Sequence, residues 1–163
     1  MSEIKIVGID PGLAGTGIGV IQGDGVRVTG YSFGSITTPS GDPIHLRLNT
    51  IYSKTLAFLK NQQPDHVVIE DIYSLEKYPG SGIMLGKVSG VLLLAAYQAG
   101  LDVEEIPVRE VKKIVSGNGG ADKHQMERAV RNLLKHPEKI RPFHASDALG
   151  LALTGYYRRR GRL

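Results

Sequence analysis

Ile4-Lys5-Ile6-Val7-Gly8-Ile9-Asp10-Pro11-Gly12 is a β-branched run that ends in a carboxylate and is closed by a turn signal. Gly15 to Ile21 forms a second run, and Gly23-Asp24-Gly25 reads as a hairpin turn into a third, Val26 to Thr37. Three strands joined by short turns are antiparallel neighbours. From residue 42 the period changes. Asp42-Pro43 fits an N-cap followed by proline at the first helical position. Ile44, Leu48, Ile51, Thr55 and Leu59 then trace the apolar stripe of an amphipathic helix, which Pro64-Asp65 ends. His66-Val67-Val68-Ile69-Glu70 is again a strand-length apolar run ending in a carboxylate. A polar loop through Pro79-Gly80-Ser81 leads to a helix reaching about Ala99. A strand from Asp102 to Ile106 follows, and Pro107 starts another helix. After a break at Gly117-Asn118-Gly119-Gly120, two helices occupy about Ala121–Lys135 and His144–Arg158. The order β-β-β-α-β-α-β-α-α-α predicts an α/β fold: a mixed five-stranded sheet with helices on both faces, its helix-connected strands parallel.

The length, 163 residues, suits one domain with one core, and 41% apolar with 22% charged residues excludes disorder and fibrous repeats. The absence of cysteine removes disulfides, thiolate zinc sites and a cysteine nucleophile. No basic segment followed by an apolar run opens the chain, and the longest unbroken apolar stretch, Val91–Tyr97, falls short of a bilayer. The expectation is a soluble cytoplasmic protein with no membrane partner. The net charge of +4 hides an asymmetry: residues 1–108 carry 7 Lys/Arg against 11 Asp/Glu, residues 109–163 carry 13 against 5. A basic half beside an acidic half suggests a polyanion held near carboxylates.

Asp10 and Glu70 share a context, since each ends an apolar strand, and ligands of α/β sheets collect beyond the carboxyl ends of strands. If their strands are parallel neighbours, the two carboxylates lie about 5 Å apart, repel, and invite a divalent cation. The structural alternative is that each caps a turn. His144 and Asp147, three apart on the last helix, project from one face and complete an oxygen-rich site, unless Asp147 only complements the helix dipole. His124, Arg128, Arg131 and Lys135 form one stripe on the penultimate helix, and Lys112, Lys113 and Lys123 flank the glycine break; such a row neutralises phosphates or is simply a solvated face. Gly82, Gly86 and Gly90 form a small-residue ridge that another backbone, the sheet or a second subunit, would approach closely. Gly12 to Gly17 runs into a strand and is no dinucleotide fingerprint, and Gly117 to Lys123 breaks the P-loop pattern.

Taken together, Ile6-Val7-Gly8-Ile9-Asp10-Pro11-Gly12, Gly15-Thr16-Gly17, Ile69-Glu70, Leu85-Gly86, Val111-Lys112-Lys113, Gly117-Asn118-Gly119, Ala121-Asp122-Lys123 and Asp147-Ala148-Leu149 resemble the RuvC family of Holliday-junction resolvases, in order and along nearly the whole chain. The resemblance implies a ribonuclease-H-like fold, as a single nuclease domain over residues 1–157 followed by a basic tail at 158–163. It implies a homodimeric endonuclease that resolves four-way DNA by paired symmetric nicks, without a small-molecule organic cofactor. Asp10, Glu70, His144 and Asp147 would be the catalytic metal ligands for two Mg²⁺ or Mn²⁺ ions, with Lys123 stabilising phosphate charge. Many relatives carry aspartate where this chain has His144. Tyr73, Lys112, Lys113, Lys123, Arg128 and Arg131 would contact DNA, and Gly82, Gly86 and Gly90 would line the dimer interface. The RuvA–RuvB branch-migration complex is the partner so implied. An RNA-processing nuclease of the same fold, a single-lobe actin-like nucleotide-binding protein, and a non-catalytic DNA-binding module are the competing readings.

Overall fold

A computed structural model describes residues 3–72 and 79–160. Strands β1 (Ile4–Asp10), β2 (Gly15–Gly23) and β3 (Val28–Thr37) precede helix α1 (Ile44–Gln62), β4 (His66–Asp71), α2 (Pro79–Gln98), β5 (Val103–Pro107), α3 (Val108–Ser116), α4 (Lys123–Leu134) and α5 (Phe143–Arg159). The element order matches the one expected from the periodicity. The five strands lie in the order β3-β2-β1-β4-β5, with β1–β2 and β2–β3 antiparallel and β1–β4 and β4–β5 parallel.

Strand alternation gives the sheet two apolar faces. Val7, Ile9, Val67 and Ile69 meet α1 and α2 through Ile51, Leu59, Val88 and Leu92. Ile6, Val68 and Ile106 meet α3, α4 and α5 through Val111, Val130, Leu149 and Ala152. By length and composition, residues 80–98 of α2 could cross a membrane, yet Val88, Leu92, Ala95 and Ala96 are buried, with Val88, Leu92 and Ala96 in the core shared with α1 and the sheet.

Two boundaries differ from expectation. Asp42 does not cap α1; the flanking residue is Pro43 in extended geometry, with no side-chain cap. The start of α4 is set instead by a capping box: the Asp122 carboxylate accepts the His124 and Gln125 amides at 2.8 Å, and Gln125 accepts the Asp122 amide at 2.9 Å. The tail expected from residue 158 begins inside α5. Arg158 pairs with Glu104 and Glu110, and Arg159 with Glu104, so these two arginines fasten the helix end to β5 and α3.

The backbone of α5 lies close against the sheet. A methyl group on Gly8 would lie 2.1 Å from the Ala148 carbonyl oxygen, one on Gly17 1.9 Å from the His144 carbonyl oxygen, and one on Gly19 2.5 Å from the Leu149 amide nitrogen. These glycines form a bare floor on β1 and β2 that lets α5 lie directly on the strands. Gly86 and Gly90 have open space where a side chain would be, so the sheet is not the backbone their ridge receives. Gly8→Ala is expected to cost about 2–3 kcal/mol by overpacking, lowering the thermal midpoint by about 5–10 °C. Calorimetry of the variant checks this, and an unchanged midpoint would mean α5 is free to rise off the sheet.

Candidate active site

Asp10 is the last residue of β1, and Glu70 lies near the end of β4. Ile9 and Ile69 are parallel partners, so the next step along both strands sets Asp10 beside Glu70, about 5 Å apart at the backbone. Both face α5, because Ile9 and Ile69 face the opposite core. The glycine floor presses the start of α5 onto this spot. His144 Nδ1 lies 3.0 Å from Asp10 Oδ2. A neutral imidazole facing an ionised carboxylate donates from Nδ1–H and keeps its lone pair on Nε2; the imidazolium donates from Nδ1 in the same way. That Nε2 lies over the Pro11–Gly15 turn, 3.9 Å from where a Gly15 side chain would begin. Asp147 sits past the first helical turn, which contains no acidic residue, so its charge is not there to complement the helix dipole.

Burial and crowding set the electrostatics. Asp10 is only 7% exposed. Burial, then the Asp10 charge and hydrogen bond, then Asp147, push the Glu70 carboxyl up to about 8, with Lys112 opposing. Burial followed by the Asp10 charge raises Asp147 to about 6, against the pull of His144 and Lys112. The hydrogen bond to Asp10 raises His144. Two acids held reluctant to ionise beside a third, at the end of a sheet, are groups whose environment favours an added cation.

The basic residues divide. Lys112 of α3 and Lys123, the first residue of α4, line a cleft of about 180 Å³ with Glu70, Asp147, Val108 and Met126. Lys113 and Arg128 are exposed, and Arg128 borders a separate groove beside Ser116 and Asn118. Arg131 donates through Nε to buried Glu127 at 3.0 Å, and Glu127 also accepts the Ile140 amide. Its guanidinium is therefore engaged in holding the segment before α5. Tyr73 lies outside the described residues. Sequence reasoning passed over Phe143 and Arg141, although Arg141-Pro142-Phe143 directly precedes His144.

The donor set fits a hard divalent ion: carboxylate oxygens with one imidazole. Among the described residues no three such side chains converge to enclose an ion by themselves.

A mixed sheet in this order, with acids at the ends of its two central strands and lysines across the cleft, defines a metal-dependent nuclease of ribonuclease-H-like architecture. Residues 6–155 match the family model described as crossover junction endodeoxyribonuclease RuvC. A Brevibacillus brevis protein of that name is 36% identical over 151 residues, covering 93% of this chain and 90% of its own. The Thermus thermophilus RuvC structure superposes with a TM-score of 0.81 at 30% identity, over 97% of each chain. A second structure, of T. thermophilus RuvC in complex with Holliday junction substrate, gives 0.82 at 30% identity, over 97% of this chain and 96% of that one. The chain belongs to the RuvC family of crossover junction endodeoxyribonucleases.

Proposed function

We propose that the chain resolves four-way DNA junctions by metal-dependent hydrolysis of two symmetry-related strands, with Asp10, Glu70, His144 and Asp147 as its ion-holding and catalytic set. The observation that carries this is the side-by-side register of Asp10 and Glu70 under a helix that delivers His144 and Asp147 to the same end of the sheet. Two Mg²⁺ or Mn²⁺ ions held there would supply stabilisation of phosphate charge and activation of the attacking water. The imidazole of His144 tilts the preference towards Mn²⁺. In its neutral form His144, donating from Nδ1 to Asp10, would have Nε2 to bind an ion or accept a proton. Lys123 and Lys112 oppose the carboxylates across the cleft and would hold the phosphodiester by charge. Lys113 and Arg128, exposed on the same basic half, would hold flanking backbone. In this reading Arg131 acts through Glu127, and Tyr73 meets the bases.

A second copy completes the assembly. Ile83 (65% exposed), Leu94 (47%) and Tyr97 (79%) share one face of α2 with Gly86 and Gly90. Their spacing of three and four residues makes a continuous apolar stripe, and the glycines allow a partner helix to approach closely. Gly82 adjoins this stripe, half-exposed. A two-fold dimer presents two sites to the two strands cut. Action alongside the RuvA–RuvB complex in the cytoplasm is part of the same proposal, suggested by the family and by no residue described above.

The test is incubation of a labelled immobile junction with the protein, with Mg²⁺, Mn²⁺ or EDTA. Paired symmetric nicks are expected with either ion, faster with Mn²⁺, and none in EDTA. No product with either ion, or equal cutting of structured RNA, would overturn the reading.

A further inference from the structure

Phe143, at the junction of the incoming loop and α5, gathers cations. Its ring has the Arg141 guanidinium carbon 4.0 Å from the centroid and Lys123 Nζ at 5.1 Å. The His124 ring meets it edge-on, with centroids 5.0 Å apart. Among the described residues neither Arg141 nor Lys123 has a carboxylate partner; Arg141 donates only to the Ile140 carbonyl, at 3.0 Å. The segment is held from below: Ile140 is fully buried and its amide donates to Glu127 at 3.0 Å. Like charges collected around one aromatic ring, without a counter-ion of their own, are arranged for an anion from outside. Lys123 already lines the acidic cleft, and Phe143 is covalently next to His144, so this cluster stands at the cleft rim.

We propose that Arg141 is a further contact to the DNA backbone, taking a phosphate beside the scissile one, and that Phe143 is a positioning residue whose ring seats Arg141 and Lys123 for it. This rests on the junction-binding function proposed above. A guanidinium forks to two phosphate oxygens where an ammonium makes a point contact. Arg141 thereby fixes the orientation of the strand whose phosphodiester Lys123 neutralises. The ring attracts each cation and so holds both in place before DNA arrives.

The experiment measures junction affinity in EDTA between 50 and 200 mM salt for the wild type, Arg141→Gln, Phe143→Leu and Phe143→Tyr. Each phosphate contact adds about 0.9 to the log–log salt slope. Arg141→Gln is expected to make the slope shallower by about 0.9, so the affinity lost across that range shrinks about threefold. Phe143→Leu, which preserves apolar packing and removes the π face, is expected to shift the slope the same way at an unchanged melting temperature. Phe143→Tyr restores it. A wild-type slope in Arg141→Gln or Phe143→Leu overturns the assignment, as does a slope change in Phe143→Leu that only tracks unfolding. If the wild-type protein binds no junction at any salt, the junction reading itself falls, and this assignment with it.

Discussion

Asp10→Asn is expected to lower kcat for junction cutting by at least about 10³-fold while junction affinity stays within about threefold of wild type. The substitution is isosteric, so an amide oxygen still accepts from His144 Nδ1–H across the 3.0 Å contact. What disappears is one negative charge at the point where β1, β4 and α5 converge, and with it a carboxylate that, in the proposed reading, would help hold the ions. In the proposed reading binding rests on other groups, chiefly Lys112 and Lys123, which line the cleft, and these would gain slightly once a carboxylate is neutralised. The fold should gain as well, because Glu70 and Asp147 both suffer from the Asp10 charge. Cleavage on denaturing gels, gel-shift binding and a melting curve on the same preparation separate these effects. Cutting at the wild-type rate would remove Asp10 from the site.

The ion-free protein is expected to lose stability as pH rises from about 5 to 8, and divalent ions are expected to restore it chiefly at the upper end. Glu70 has its carboxyl raised from 4.5 to about 8 in the fold. Between those values the native state keeps a proton that the unfolded chain has released, so unfolding becomes easier with increasing pH. His144, raised by Asp10, contributes in the same direction: its stabilisation is present below its unfolded value and lost as pH passes its folded one. His66, lowered by burial, works the other way. The Glu70 contribution is on the order of 3 kcal/mol, a fall in melting temperature of about 5–10 °C. An ion taking the place of the proton reverses the loss, so Mn²⁺ should raise the midpoint strongly at pH 8 and little at pH 5. Glu70→Gln should flatten the EDTA profile and weaken the Mn²⁺ effect. An EDTA profile unaltered by Glu70→Gln, or an Mn²⁺ shift equal at both pH values, would separate Glu70 from the ion site.

Much of the architecture could be read locally. The β-branched runs of β1 and β4, each ending in an acid, and the amphipathic stripe of α1 follow from side-chain periodicity, which depends on near neighbours. The parallel pairing of β1 with β4 follows from two short hairpins that leave β3 running in the direction of β1, and from α1, which carries the chain from β3 back to start β4 in that same direction. The start of α1 was less legible, because Asp42-Pro43 has the composition of a cap without the backbone geometry that would bring its carboxylate to an amide. Arg131 shows the same limit. Its spacing places it on a basic stripe, but the group that claims its guanidinium is Glu127, a buried carboxylate that also accepts the Ile140 amide.

The glycines carry the sharpest contrast. Gly86 and Gly90 advertise a close-packing ridge in sequence, and the fold leaves that ridge open to solvent. Gly8, Gly17 and Gly19 look like ordinary strand residues, yet they are where the backbone of α5 rests on the sheet. By itself the chain's sequence determined its elements, their order, and the pair of acids at two strand ends, since propensity, periodicity and connection length act over short distances. Only the tertiary structure decided that His144 bonds Asp10, that Lys112 and Lys123 share a cleft with Glu70, and that Arg141 and Lys123 meet on Phe143. Those contacts join residues far apart along the chain, and their partners are chosen by how closely one backbone can approach another.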